Sequence, residues 1–437
     1  MWLLLLVLWG TGVAAEPLTI PLPLPQRVMN SYNWDEYTFE SVRFSPQGDT
    51  VAVATDDGVL YLFDSRTGQK RWQLNLGEGV RLRGLVFAPD GQTLYTGEQS
   101  LAAQVQAIGK DGKRRWQYSA RPDLRGTIGK GTFAGINRDL RVDRAGNLYV
   151  MTYWNVFGEA IARVQVVSLN PQGRVRWRFP PQPLVSAVGG GVTVSPDGTR
   201  VGLVTGDFVT DFTRANRGLT TTLLDSRTGQ VLDQKLLAPI GGKPLSPVCP
   251  PAFSSDNQTL MTLAGNGQAV VYRLESKGVL VPSWQQRFSR EQRNTTVYYK
   301  FLESLPDRRW LVFAGTTAPL PGATDEDPKQ EHPASNMVLL VGEQGKILQR
   351  WRIPSLDRPP TLDAKTLLLP LAQNTITAKL RGLALLELGS GRLSQPLTVP
   401  GAIIAAHQSG SRWAALEVPL LLPGRKRVGV HRLHLGP

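Results

Sequence analysis

From position 42 onward, apolar and polar residues alternate in short runs, and turns bearing glycine or its substitutes interrupt the alternation. The first stretch reads "SVRFSPQGDTVAVATDDGVLYLFDSRTGQKRWQLNL", with alternating runs at 42–44, 50–55, 59–63 and 69–74. The turns between them are "SPQG", "TDDG" and "SRTG". A period of two residues, broken every eight to twelve positions by turn chemistry, predicts a four-stranded antiparallel meander.

The meander recurs. Its first turn returns as "SPQG" (45–48), "APDG" (88–91), "DRAG" (143–146), "SPDG" (195–198) and "SSDN" (254–257), and more faintly as "LPDR" (305–308), "LDAK" (362–365) and "HQSG" (407–410). The mean spacing, about 52 residues, is that of a propeller blade with some long loops. Its third turn supplies a hexapeptide, "DSRTGQ", identical at 64–69 and 225–230. Gly68 and Gly229 are expected to take positive φ there, and Asp64 and Asp225 to bond the turn backbone. The expectation is an all-β chain: a single β-propeller of four-stranded antiparallel blades, eight in number, with seven as the alternative because units six and seven are weakly marked.

"DSRTGQKRW" resembles the tryptophan-docking repeat of quinoprotein-type (PQQ-type) propellers, in which a Trp follows the turn Gly by four residues. Gly112 with Trp116 and Gly173 with Trp177 keep that offset; Trp351 is shifted by two, and Asp233 stands where the fourth unit would carry its Trp. The "FSPDG" half resembles WD40 repeats. The resemblance covers nearly all of the chain after residue 15 and implies blade-packing roles for Trp72, Trp116 and Trp177. In blade number and repeat type the chain also resembles the propeller subunit of the bacterial outer-membrane protein assembly machinery, which implies a non-enzymatic scaffold of the cell envelope.

The two ends fit one ring. The last unit has room for three strands, and 16–30, "EPLTIPLPLPQRVMN", is extended and proline-rich. That segment is expected to supply the missing fourth strand, its prolines tolerated on an outer edge where no ladder bond is lost. Residues 1–15 read as a signal peptide, with an apolar run and small residues before a cut after Ala15. Export to the periplasm or outside the cell follows, with 16–437 forming the propeller. No later apolar run is long enough to span a bilayer.

Insertions single out one face. Long connections join second to third strands at 152–160, 205–218 and 315–336, and one blade to the next at 118–139 and 285–300. In a meander these two classes leave from the same side, and long loops on a rigid ring are where partners bind. The predicted contacts are Tyr153, Trp154 and Phe157 as aromatic anchors, with Arg214, Arg217, Arg290 and Arg293 as polar ones.

Candidate chemistry changes this picture little. "GTIGKGTF" (126–133) lacks phosphate-loop spacing, and neither G-x-S-x-G nor H-E-x-x-H occurs. His431 and His434 stand three apart on a strand, which points them to opposite faces. Single Cys249 can form no disulfide within the chain, neither can it serve as a lipid anchor near residue 15, and it reads as a packed apolar residue. The acidic loop 322–332 reads as solvated. No catalytic residue, cofactor or metal ligand is assigned. A non-catalytic scaffold binding a protein or peptide is therefore favoured over a divergent quinone-dependent dehydrogenase or propeller hydrolase. The net charge of +14 keeps a third reading open, a polyanion-binding module docking on an anionic envelope surface or polymer. Nucleic acid is not expected, because no aromatic-interleaved basic platform is present.

Overall fold

The computed structural model describes residues 16–22, 42–55, 58–76, 81–99, 104–119, 132–156, 162–185, 187–207, 218–240, 245–289, 295–319, 332–353, 360–363, 365–371, 382–419 and 430–437. Those residues form eight four-stranded antiparallel sheets. Seven are simple meanders, at 42–75, 81–119, 132–185, 187–237, 252–287, 295–352 and 361–398, numbered here as blades one to seven. Blade eight takes three strands from 402–436 and its outermost from Leu18–Leu22. The expected eight blades and the expected closure are both present.

Burial explains why each unit must find neighbours. In blade one the second strand, Thr50–Ala54, is buried along its whole length, whereas the fourth, Lys70–Asn75, alternates between exposed and half-buried. A sheet buried on both faces cannot stand alone, so each blade stacks against the next. Eight apolar clusters result, one at each seam. The closing seam joins Leu22, Leu433 and Leu435 to Val42, Phe44 and Val51. Burying a side chain such as Leu22 contributes about 2 kcal/mol by area alone. Pro21 pairs with Arg432 on the outer edge, where its missing N–H costs no interior ladder bond.

Several segments expected as loops begin or end as strand. The second strand of blade three, Leu148–Val156, carries pairing through Asn155 and Val156, and in blade six Thr295–Ser304 pairs with Trp310–Pro319 from end to end. Their Thr, Tyr, Trp and Val residues favour a pleated, paired backbone. Blades three and six therefore reach further toward the side where the second-to-third connections leave.

Candidate functional site

The two sides of the ring are built differently. On one side lie the first-to-second and third-to-fourth turns of each blade. Here the hexapeptide shows its purpose twice. Asp64 Oδ1 accepts from Arg66 N and Thr67 N at 3.0 Å each and from Thr67 Oγ1 at 3.1 Å. Asp225 repeats this with Arg227 N at 3.0 Å and Thr228 N and Oγ1 at 2.8 Å. These bonds hold both carboxyls below the usual range; at Asp64 the Thr67 amide contributes most, while at Asp225 they outweigh an upward push from burial. The following Ser ties the turn to its neighbour: Ser65 Oγ donates to Gly48 O and Ser226 Oγ to Gly198 O, both at 2.6 Å. Gly68 and Gly229 have φ of 68° and 73°.

The same turn receives the Trp of the preceding blade. A Cβ on Gly112 would stand 3.0 Å from Trp72, one on Gly173 2.5 Å from Trp116, and one on Gly229 2.6 Å from Trp177. Each indole N–H then donates to a carbonyl in that turn: Lys110 at 2.9 Å, Pro171 at 2.8 Å and Ser226 at 2.9 Å. The blade-packing role expected of these three residues is what the structure shows. Trp284 on Gly345 and Trp351 on Gly391 extend the series. At the seam between blades four and five the indole is replaced by two residues. Leu232 covers Gly278, and Asp233 accepts from Leu280 N at 2.8 Å. At the closing seam Leu18 and Ile20 cover Gly68, while Arg412 donates to Ser65 Oγ at 2.8 Å and Gly48 O at 2.7 Å.

Antiparallel order puts the second-to-third and blade-to-blade connections on the opposite side. Of the seven contact residues expected there, Phe157, Arg214, Arg217, Arg290 and Arg293 lie outside the described residues. Tyr153 and Trp154 are on the strand Leu148–Val156 rather than in a loop, because residues through Asn155 pair with the strand Ala162–Leu169. Tyr153 is half-buried and packs on the seam between blades three and four. The acidic segment 322–332 lies outside the described residues except for buried His332.

Polar groups elsewhere serve the ring. His434 Nε2 bonds Glu417 Oε2 at 2.8 Å and its Nδ1 bonds Thr19 Oγ1 at 3.0 Å, pinning the closing strand. Burial alone would raise the Glu417 carboxyl, but bonds from His434 and the Gly401 amide outweigh it and leave it below the usual range. His407 accepts the Phe44 amide at 3.3 Å, and desolvation with nearby Arg43 holds it neutral well below an ordinary histidine. Cys249 is buried at the seam of blades five and six. Among the described residues no three His, Cys, Asp or Glu side chains converge as metal ligands. No described helix is long and apolar enough to cross a membrane.

Comparison with known proteins agrees with this geometry. The family model described as outer membrane protein assembly factor BamB matches residues 34–163, which hold blades one and two and half of blade three. No curated protein matches the chain. Among solved structures, Sqt1 of Saccharomyces cerevisiae is 12% identical with a TM-score of 0.57, covering 97% of this chain and 99% of its own. A europium-containing methanol dehydrogenase is also 12% identical, with a TM-score of 0.55 and 89% of each chain covered. At that identity both likenesses concern the fold. The chain is an eight-bladed β-propeller of PQQ-like repeats, similar over its first blades to the BamB family.

Proposed function

We propose that this chain is an exported, non-catalytic propeller scaffold that holds a protein partner in the cell envelope through its long-connection face. One observation carries the reading: the ties that repeat from blade to blade gather on one side. Asp caps and docked indoles occupy the short-turn side, and the long connections leave from the other. A rigid ring whose repeated ties gather on one side presents the variable connections of the other for recognition. The similarity of residues 34–163 to an assembly-factor family supports a protein partner and an envelope setting. On this reading Tyr153, Trp154 and Phe157 are the aromatic anchors, and Arg214, Arg217, Arg290 and Arg293 the polar contacts.

The test is co-purification from crosslinked native envelopes. Alanine at Trp154 and Phe157, and separately at Arg214 and Arg217, is expected to reduce recovery of the wild-type partner at least about tenfold, as for anchor residues in other interfaces. Unchanged recovery with both sets would remove the assignment.

A further inference from the structure

The outer strands differ in charge around the ring. In blades one to three, the third-to-fourth turn and outer strand read "DSRTGQKRWQ" (64–73), "GKDGKRRWQ" (109–117) and "NPQGRVRWR" (170–178). Together they carry ten cations against two carboxylates. The corresponding segments of blades seven and eight, "ELGSGRLSQPLT" (387–398) and "EPLTIPL" (16–22), carry one cation and two carboxylates. Guarding a sheet edge does not demand this. One charge or one proline suffices to blunt an edge, and Pro396 and Pro21 stand on the outer strands of blades seven and eight.

Some of the cations are already committed. Arg71 pairs with Asp64 at 2.9 Å, Arg115 with Asp111 at 3.0 Å, and Arg176 bonds Tyr149 Oη and Ser168 Oγ. Lys70, Lys113, Arg114, Arg174 and Arg178 are exposed and make no ion pair among the described residues. We propose that this rim, the outer edge of blades one to three, docks an anionic polysaccharide.

Three features select that occupant. The cations repeat from blade to blade across the strands, so a ligand that meets them all must run around the ring; a peptide adding to one edge would follow a single blade. The rim is convex over three of eight blades, which a flexible polymer can follow and a flat bilayer cannot. Among the described residues, none of the exposed large apolar side chains lies in blades one to three, where lipid insertion would need them. The interleaved indoles are docked on glycines with their N–H groups bonded, so they offer no platform for stacked bases. What remains is charge recognition along a chain.

The test compares two variants of the full chain that each lose four positive charges. The rim variant carries Lys70→Gln, Arg114→Gln, Arg174→Gln and Arg178→Gln; the control carries Lys277→Gln, Lys346→Gln, Arg350→Gln and Lys365→Gln. Binding to heparin is measured from low to physiological salt, with thermal unfolding confirming that both fold. The rim variant is expected to lose about tenfold or more in affinity and to show a shallower salt slope, the control less than about twofold. Equal losses, no wild-type binding to heparin at about 0.1 M salt, or a preference for phosphatidylglycerol vesicles or single-stranded DNA would each overturn the proposal. The outcome is separable from partner capture, because no residue changed here belongs to the long-connection face.

Discussion

The two sides of the ring are made by the same repeat, yet they use it differently. On the short-turn side, side chains are committed to neighbouring backbone. Asp64 and Asp225 cap their own turns, Ser65 and Ser226 join two turns of one blade, and Trp72, Trp116 and Trp177 lock one blade to the next. On the other side, Tyr153 is held by packing at the end of an extended strand, and the connections beyond it vary in length from blade to blade. A closed ring needs its ties only once per seam. Gathering the repeated ties on one side leaves most connections of the second free to vary; at the seam of blades five and six the second side is tied too, Tyr299 N donating to Gly265 O at 2.8 Å.

The comparison can be broken most forcefully at a docked indole. Trp177→Ala should cost about 3–5 kcal/mol in denaturant unfolding, since it empties a buried seam and frees the carbonyl of Ser226. Arg214→Ala with Arg217→Ala should stay within about 0.5 kcal/mol of wild type while reducing partner recovery. Similar losses from both would mean that the two sides are not divided as described. Next in size is Gly173→Ala, whose Cβ would meet the Trp116 ring at 2.5 Å in a backbone with φ of 78°. A loss of about 1–3 kcal/mol is expected, with Trp116 fluorescence shifted toward that of a more exposed indole.

Acid sharpens the picture at the closing seam. His407 is held neutral in the fold, so the folded state binds its proton more weakly than the unfolded state. Its contribution is complete above about pH 6.5, the ordinary histidine value, and declines as pH falls below it. His407→Phe should flatten unfolding free energy between about pH 6.5 and 5, whereas an unaltered decline would assign the effect elsewhere. The smallest effect expected is at the caps. Asp225→Ala should cost about 1 kcal/mol, measured at neutral pH. Because that carboxyl is depressed, the wild-type advantage should persist down to the ordinary carboxylate range, near 3.8, and fade below it.

Much of the ring was legible in the letters because its turns demand particular residues. Gly, Asp and the Gly-to-Trp offset of four mark blades one to three, and the proline-rich 16–30 segment announced an edge strand. Trp284, like Trp351, follows its turn glycine by six residues rather than four; a two-residue displacement keeps a side chain on the same face of a strand, one step further along. The seam of Leu232 and Asp233 escaped for another reason: two residues divide what one indole does elsewhere, so no single letter marks it. On the candidate face, strand length was underread. Thr152, Tyr153 and Trp154 look like a loop beside Asn155 and Gly158, and only pairing with Arg163, Val164 and Gln165 makes them strand. The rim was visible as basic clusters, but that three of them fall on adjacent blades required the topology.

The sharpest test of the divided ring places a photo-crosslinking amino acid at Phe157 and Arg217, and in parallel at Gln69 and Gln230 of the two hexapeptide turns. Irradiated in the native envelope, the first pair should give a discrete protein adduct and the second none. Adducts of equal yield on both sides, or only at the turns, would contradict the account.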